Sequence, residues 1–479
     1  MKTLKSTLAI ILCFVMITVI FAGCKSNTTV SEYSVWEDEV VQVDKDDNAD
    51  SSNSNNPSTD ASQSTDASQS TDDKSASGGK VDGSYFPKRN VKGKTLSVYW
   101  GSGEVPDYLK KVTQKFEKAY NCKVEYLKGS WNNRATEIAS YVNAGKAPDA
   151  IIGMVKTDFP LFASSGMLSN IGKNEFDFNS TLIDKNTTNN VCTWYGKTYA
   201  IGAFDEPEVI IYNKTLIEDM GYDTPLDLYK SGKWTWEAMR TLAKKMSYDK
   251  DKDGKNDVYG FSCWGMDALV ASNNTWYLKK ASDNSISLNF SANPVREAYQ
   301  LVYDMQHTDK SVVPGLYDGL DAIKNGTCAM YVERSHYLFR IQDANKNYEY
   351  DFAPIPMGPS AGGKNYRLTL PWVMGIGNGS DNREGALAYI EMILSTFADQ
   401  SKIGPKEDTT KKYTKEQQKT IAEIKTFPAA PMVATGYGKF NDMLLNLNAA
   451  RSANQPYATA VDSVKASMEQ EIKMAMTAF

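Results

Sequence analysis

Hydrophobic and polar positions divide the chain into three parts. An apolar run over residues 8–21 follows a basic start and ends just before Cys24. Residues 25–84 are mostly Ser, Asn, Thr and Asp, with almost no aliphatic clusters. From residue 95 onward, strand-like runs alternate with segments of helical periodicity. Only this third part can bury a core, so the folded region is expected there.

The third part begins with a β-α-β-α-β pattern. Its apolar spacing predicts strands at 95–100, 123–127 and 149–153, with helices over about 107–120 and 132–144. Alternation at these lengths favours a mostly parallel sheet with helices on both faces. Ligands of such sheets bind at the carboxyl ends of the strands, so the loops after these strands are the first candidates for a site.

The N-terminus resembles a bacterial lipoprotein signal. Basic residues, an apolar run and small residues before a cysteine are typical of a secretory signal, with residues 1–23 removed and Cys24 left at the new N-terminus. The resemblance implies a lipid on Cys24 and an anchor on the extracellular face of the cell membrane. Phe21 departs from the usual aliphatic residue of the motif. An uncleaved anchor helix is the alternative, and it also places the chain outside the cytoplasm.

Residues 24–84 are predicted to be a lipidated cysteine followed by a disordered acidic stalk. The six residues 58–63 recur as 64–69, and this composition cannot support a packed core. A flexible chain of about 60 residues spans on the order of 45 Å. Such a stalk suits a protein that works beyond a thick, Gram-positive cell wall.

The charge distribution argues against one class of partner. The whole chain carries −5, of which the signal contributes +2 and residues 25–80 contribute −8, leaving about +1 for residues 81–479. This part has no basic block, so nucleic acid is not an expected partner.

Four cysteines remain after the signal and Cys24: Cys122, Cys192, Cys263 and Cys328. We expect unpaired core thiols, with disulfides as the alternative.

Eight short segments, in a fixed order, carry a family resemblance over nearly all of residues 92–479. They are 147–152, 165–168, 195–201, 209–214, 234–238, 324–330, 352–357 and 383–390. With them the chain resembles an extracellular solute-binding protein of the carbohydrate-binding, maltodextrin-binding type, the receptor subunit of an ABC importer. The resemblance implies a carbohydrate ligand, permease subunits as partners, a monomer, and neither catalysis nor a required cofactor.

The same resemblance implies the architecture. We expect an α/β, two-lobed periplasmic-binding-protein-like fold of type II, with a mostly parallel sheet in each lobe and the ligand cleft at the hinge. The N-terminal lobe would combine 85–205 with 370–405, and the C-terminal lobe 206–369 with 406–479. Crossings between lobes are expected near 203–207 and 370–377.

Candidate ligand contacts are carried over by position. Glu206 matches the crossing-strand acid of the family, Tyr437 matches a C-terminal aromatic platform, and Asp158 follows the third strand, where the family has a polar contact. Trp264 is a candidate platform of the second lobe. For Trp372, ligand contact and core packing both remain open.

One departure changes the expected ligand. His336 stands where the family commonly has a sugar-stacking tryptophan, and Glu333 and Arg334 precede it. A maltodextrin-like ligand is therefore in doubt. Arg334 and His336 are candidate contacts for an acidic or amino sugar. The alternative is that Arg334 pairs with a neighbouring acid and His336 is a packed surface residue.

Residues 249–257 predict a structural calcium site. Asp249, Asp251, Asp253 and Asp257 occupy positions 1, 3, 5 and 9 of an EF-hand-like loop, with the Lys255 carbonyl at position 7. Position 12 is a glycine rather than glutamate, so the full motif fails. A solvated charged turn is the alternative.

Two other functions remain open. A surface glycoside hydrolase would need two carboxylates, which no spacing identifies. An adhesin or receptor without a transporter would share the lipid and the stalk.

Overall fold

The computed structural model describes residues 80–81, 84–85, 89–91, 95–101, 104–203, 207–315, 318–368, 372–398 and 413–479. The predicted signal, Cys24, nearly all of the stalk and Glu206 lie outside the described residues.

The described strands are β1 (Lys80–Val81), β2 (Ser84–Tyr85), β3 (Thr95–Trp100), β4 (Lys123–Lys128), β5 (Ala150–Met154), β6 (Thr193–Trp194), β7 (Lys197–Thr198), β8 (Ala200–Gly202), β9 (Glu208–Asn213), β10 (Leu278–Lys280), β11 (Ile286–Leu288), β12 (Met330–Arg334), β13 (Tyr350–Pro354) and β14 (Val373–Ile376).

The described helices are α1 (Asp107–Tyr120), α2 (Arg134–Asn143), α3 (Leu161–Ser164), α4 (Lys185–Asn190), α5 (Lys214–Asp219), α6 (Pro225–Lys230), α7 (Trp236–Lys245), α8 (Asp267–Ser272), α9 (Asn293–His307), α10 (Gly319–Lys324), α11 (Tyr337–Ala344), α12 (Arg383–Ala398), α13 (Lys415–Thr426), α14 (Phe440–Ser452) and α15 (Tyr457–Met476).

The first lobe is built on a mixed five-stranded sheet of order β4-β3-β5-β14-β8. Strand β3 is parallel to both β4 and β5, whereas β14 is antiparallel to β5 and β8. Alternate residues of β3 enter different cores, with Val98 on one face and Tyr99 on the other. A sheet buried on both faces requires cover on both, and α1 and α12 supply one layer, where Phe116 meets Tyr389 at 5.1 Å.

The second lobe differs from the expectation. Its main sheet has the order β12-β9-β13, and both pairings are antiparallel, so a mostly parallel sheet was the wrong prediction for this lobe. The reason lies in the connections. Helix α11 joins β12 to β13, which makes these two strands parallel to each other, while β9 enters between them from the hinge in the opposite direction.

The order of the strands along the chain requires two passes between the sheets, and residues 204–206 and 369–371 of these passes lie outside the described residues. The chain leaves the first sheet after β8, enters the second at β9, and returns after β13 to form β14. The two passes contact each other, since the Glu208 amide donates to the Leu368 carbonyl at 3.2 Å. Glu208 therefore lies where the lobes join.

The lobes also touch away from the hinge. Lys280 of β10 donates to the Thr193 carbonyl and lies 3.9 Å from the ring centroid of Trp194. Phe479 stacks on the same ring at 5.6 Å. One hydrophobic cluster contains residues of both lobes, including Ile151 and Ile210. The lobes are therefore closed on each other.

Several local predictions are confirmed. The strand 95–100 and the helix 107–120 have the expected bounds. Cys122, Cys192, Cys263 and Cys328 are buried free thiols. None of the helices in the described part of the chain is long and apolar enough to cross a membrane.

Candidate functional site

The candidate site is the hinge interface, which we define as the first-lobe loop 155–160 together with Glu208, Asp267 and Gly436 of the second lobe. The loop follows β5, whose parallel neighbour β3 ends at the same edge of the sheet. Loops at this edge are where open α/β sheets bind ligands.

On the first-lobe side, Asp158 is buried and paired. Its carboxylate accepts from Arg134 Nε at 2.8 Å and from the Val155 amide at 2.8 Å. Burial raises the pKa of the Asp158 carboxyl, and the Arg134 guanidinium opposes that rise. Arg134 also lies 4.0 Å from the ring centroid of Trp131. These contacts fix the shape of the loop.

Lys156 of the same loop reaches the second lobe. Its Nζ lies 2.5 Å from Asp267 Oδ2, in the first turn of α8, and 4.7 Å from the ring centroid of Trp276. Both members of the pair are mostly buried. An ion pair in such surroundings is screened less than one in water, so it ties the lobes together in this arrangement.

Backbone contacts complete the junction. The Thr435 amide donates to the Lys156 carbonyl at 3.1 Å, and the Gly436 amide donates to the Phe159 carbonyl at 2.7 Å. A Cβ on Gly436 would lie 2.4 Å from the Thr157 carbonyl oxygen. Only glycine permits this approach of the two backbones, so residue 436 is a contact point of lobe closure.

Glu208 lies on the second-lobe side, opposite Arg334 in the register of β9 and β12. It is 5% exposed. Burial raises the pKa of its carboxyl to about 8, with Asp267 as the next largest cause. Lys156 and Arg334 lower this pKa, but by less. A buried carboxyl with a pKa this high is a common feature of functional sites.

Tyr437 is fully buried, at 0% exposure, and its ring centroid lies 6.0 Å from that of Phe440. In the described structure its hydroxyl has no hydrogen-bond partner. It directly follows Gly436, so it flanks the junction with Asp158. Its role as a ligand platform stays a prediction, and in this closed arrangement the ring is a core residue.

The remaining candidates of the second lobe lie at or just after the end of β12 and in the loop before α8. Arg334 is 1% exposed, and its Nε lies 3.7 Å from Glu333 Oε1. His336 precedes α11 and is buried against the Tyr337 ring at 4.8 Å. Trp264 is partly exposed in the loop before Asp267. Their roles toward a ligand remain predictions.

Trp372 lies in the first-lobe core. Its ring is 5.1 Å from that of Trp100 and 6.2 Å from that of Tyr108. All three side chains belong to the cluster between the sheet, α1 and α12. The core-packing alternative describes this position, whereas contact with a ligand would require the cluster to open.

The Asp249 loop is largely exposed, and three of its carboxylates lie close enough together to bind one metal ion. Oxygen atoms of Asp249, Asp251 and Asp257 lie within 4.8 Å of one another. Asp249 accepts from the Gly254 amide, which lowers the pKa of its carboxyl, and Asp257 accepts from the Lys250 amide at 2.6 Å. Asp253 is outside this group of three. Hard oxygen ligands of this kind fit calcium.

Sequence reasoning missed Lys156, Glu208, Asp267 and Gly436 of the hinge interface, and it missed Arg134, which holds Asp158. Lys156 had a usable signal, because it lies three residues after the predicted parallel strand 149–153. Glu208 had a weaker one, because an acid at the start of an otherwise apolar strand is unusual. Nothing in the sequence placed Asp267 opposite Lys156.

Comparisons with solved structures support the fold. An ABC substrate-binding protein from Listeria monocytogenes, solved with cycloalternan, aligns at a TM-score of 0.59 with 18% identity, over 81% of this chain and 100% of that one. A maltose/maltodextrin-binding domain from Bdellovibrio bacteriovorus, bound to maltotriose, aligns at 0.58 with 18% identity, over 79% and 100%. The fold prediction of a two-lobed binding protein is confirmed.

Comparisons of sequence give the family. An uncharacterised lipoprotein of Streptomyces antibioticus is 23% identical over 292 residues, which are 57% of this chain and 60% of that protein. The chain thus spans less than two thirds of the length of this curated relative. The family model described as bacterial extracellular solute-binding protein matches residues 101–399, well over half of the chain. The chain therefore belongs to the family of bacterial extracellular solute-binding proteins.

Proposed function

We propose that the protein is a lipid-anchored extracellular receptor that captures a carbohydrate between its lobes and delivers it to an ABC importer. The observation that carries the proposal is the hinge interface itself. Loop 155–160, at the carboxyl edge of the first sheet, contacts α8 and Gly436 of the second lobe. A ligand bound at this edge would be enclosed when the lobes close.

Two further facts support a carbohydrate. Solved proteins of the same fold carry cycloalternan, maltotriose or maltotetraose in their structures. Indole rings also lie against cations at or beside the hinge interface: Trp131 against Arg134, and Trp276 against Lys156. Sugar recognition needs both flat apolar surfaces and directed hydrogen-bond partners.

One observation favours a second candidate, a surface glycoside hydrolase. Glu208 has a raised pKa beside Asp267 and Glu333, and an acid held protonated near a second carboxylate is the pattern of a glycosidase site. A binding protein would leave the sugar intact, whereas a hydrolase would shorten it.

The test is a thermal-shift screen of the purified full chain against neutral, acidic and amino oligosaccharides, followed by mass analysis of the recovered sugar. A receptor raises its melting temperature with one class and returns that sugar unchanged. Cleavage products would identify the hydrolase. A flat response to every carbohydrate would reject both proposals.

The anchor has a separate test. If Cys24 carries the lipid, Cys24→Ser releases the protein from the membrane fraction, and the released protein keeps the melting temperature and binding of the parent. Cys122→Ser is the matched control, because this buried thiol lies in the folded part. Retention of the Cys24→Ser protein in the membrane would contradict the lipid assignment.

Co-purification of the anchored parent with permease subunits would separate an importer from an adhesin.

We also propose a structural calcium ion in the Asp249 loop. Three carboxylates with mutually close oxygens provide the ligand type and spacing that this ion needs. The loop follows α7 and is exposed to solvent, so the ion would stabilise the second lobe without contacting the ligand.

A further inference from the structure

Glu208 occupies an unusual position for an acid. It begins β9 directly after the hinge segment, and its amide is bonded to the returning pass of the chain at Leu368. The following residues of the strand are apolar and buried on both faces, such as Val209 and Ile210. A carboxyl placed here pays a desolvation cost that an apolar side chain would avoid. A compensating role in binding would explain its presence.

The nearby cations are closer to other acids. Lys156 Nζ lies 2.5 Å from Asp267, and Arg334 Nε lies 3.7 Å from Glu333. Over the described residues, neither an ion pair nor a hydrogen bond to the Glu208 carboxyl is present. Among the described residues, three acids and two cations thus meet at one junction, and Glu208 is the acid of this set that forms no ion pair.

An acid in this situation is stabilised either by a proton or by a cation from outside the chain. Its raised pKa agrees with the first state in the closed protein without ligand. A ligand ammonium group offers three donors and a full positive charge, which makes a charge-assisted bond to an ionised carboxylate. A carboxylated ligand would instead add negative charge next to the acids of the junction.

We propose that Glu208 binds a protonated amine of the ligand, so that the solute is an amino sugar or an oligosaccharide that contains one. This inference rests on the proposed carbohydrate function and adds the chemical class of the ligand. Glu208 would contribute specificity, because it loses its proton when it binds the amine. Neutral and acidic sugars bring no positive charge that could replace this proton.

The experiment is isothermal titration of the full chain at about pH 6 with sets of three matched probes. Each set contains glucosamine or galactosamine, or their short oligomers, with the N-acetylated and the plain hydroxyl counterparts. We expect the amine of at least one set to bind tenfold or more tighter than both counterparts, about 1.4 kcal/mol. This ratio is measured on the parent protein and needs no variant.

Glu208→Gln then assigns the preference to this residue. We expect the variant to lose the preference for the amine while its melting curve stays two-state. Glu237→Gln, an exposed acid in the first turn of α7, changes the net charge equally and should keep the preference. A preference that survives Glu208→Gln would overturn the proposal.

The failure of this inference differs from the failure of the proposed function. Binding of neutral sugars as tightly as amines would reject the amine and leave the carbohydrate receptor standing. Absence of binding to every probe and to the wider carbohydrate screen would reject both.

Discussion

The two sides of the hinge interface differ in whether a buried acid has an ion-pair partner. Asp158 on the first-lobe side is held by Arg134, with Nη2 at 2.6 Å, and by the Val155 amide. Glu208 on the second-lobe side is similarly buried but forms no ion pair within the described residues, and its pKa is raised to about 8. The first acid has its partner within the chain and serves the fold. The second lacks one and is the better candidate for a ligand.

This difference teaches how to separate structural from binding residues in such an interface. Both kinds of residue lie at the hinge interface, so position alone does not discriminate between them. The presence of a partner for each buried charge does discriminate. A buried acid that is already paired gains little free energy from a ligand, whereas an unpaired acid gains much more.

The largest effect is expected from breaking the paired side. Arg134→Ala leaves Asp158 as a buried charge without its cation and should cost about 3–5 kcal/mol of unfolding free energy. Urea unfolding measures this loss. Arg383→Ala is the matched control, because its pair with Glu175 is about 30% exposed and should be worth less than about 1 kcal/mol. Equal losses in both variants would show that Asp158 is not specially stabilised.

Tyr437 tests whether a buried ring at the junction serves packing or binding. Tyr437→Ala should cost about 3–5 kcal/mol, because it empties a fully buried site. Tyr437→Phe removes only a hydroxyl that lacks a partner in the described residues, so its stability should stay within about 1 kcal/mol of the parent. Calorimetry and titration of both variants separate the roles. A Phe variant of normal stability that binds tenfold more weakly would restore Tyr437 as a ligand contact.

The unpaired acid, Glu208, predicts that the free energy of unfolding depends on pH. The Glu208 pKa is near 4.5 in the unfolded chain and about 8 in the folded one, so between these values the folded state holds a proton that the unfolded state has lost. Stability from this group is therefore lost as the pH rises from 4.5 to 8, by about 3–5 kcal/mol. Urea unfolding at several pH values measures the slope. Glu208→Gln should flatten it, and identical slopes would disprove the raised pKa.

The smallest effect concerns acids that are neither buried nor in the interface. If the Asp249 loop binds calcium, chelation should lower the melting temperature by about 2–5 °C, and Asp251→Ala with Asp253→Ala should remove that response. The exposed Asp283, whose partner is the local Ser285 amide, provides the control variant Asp283→Ala. Melting curves that ignore the chelator would favour the solvated turn.

The sequence determined the local elements and the family. Helical periodicity predicted α1, because its apolar residues recur on one face of the helix. Eight ordered segments were sufficient to recognise a two-lobed binding protein. These features are local, so no knowledge of long-range contacts was needed.

Only the tertiary structure decided which charges meet. Lys156 and Asp267 are 111 residues apart in the chain, and Arg334 faces Glu208 only because β12 pairs with β9. The antiparallel second sheet was equally hidden, since strand direction depends on how the hinge feeds β9 between two other strands. Pairing of distant groups is a property of the closed fold, and a sequence reports the charges without their partners.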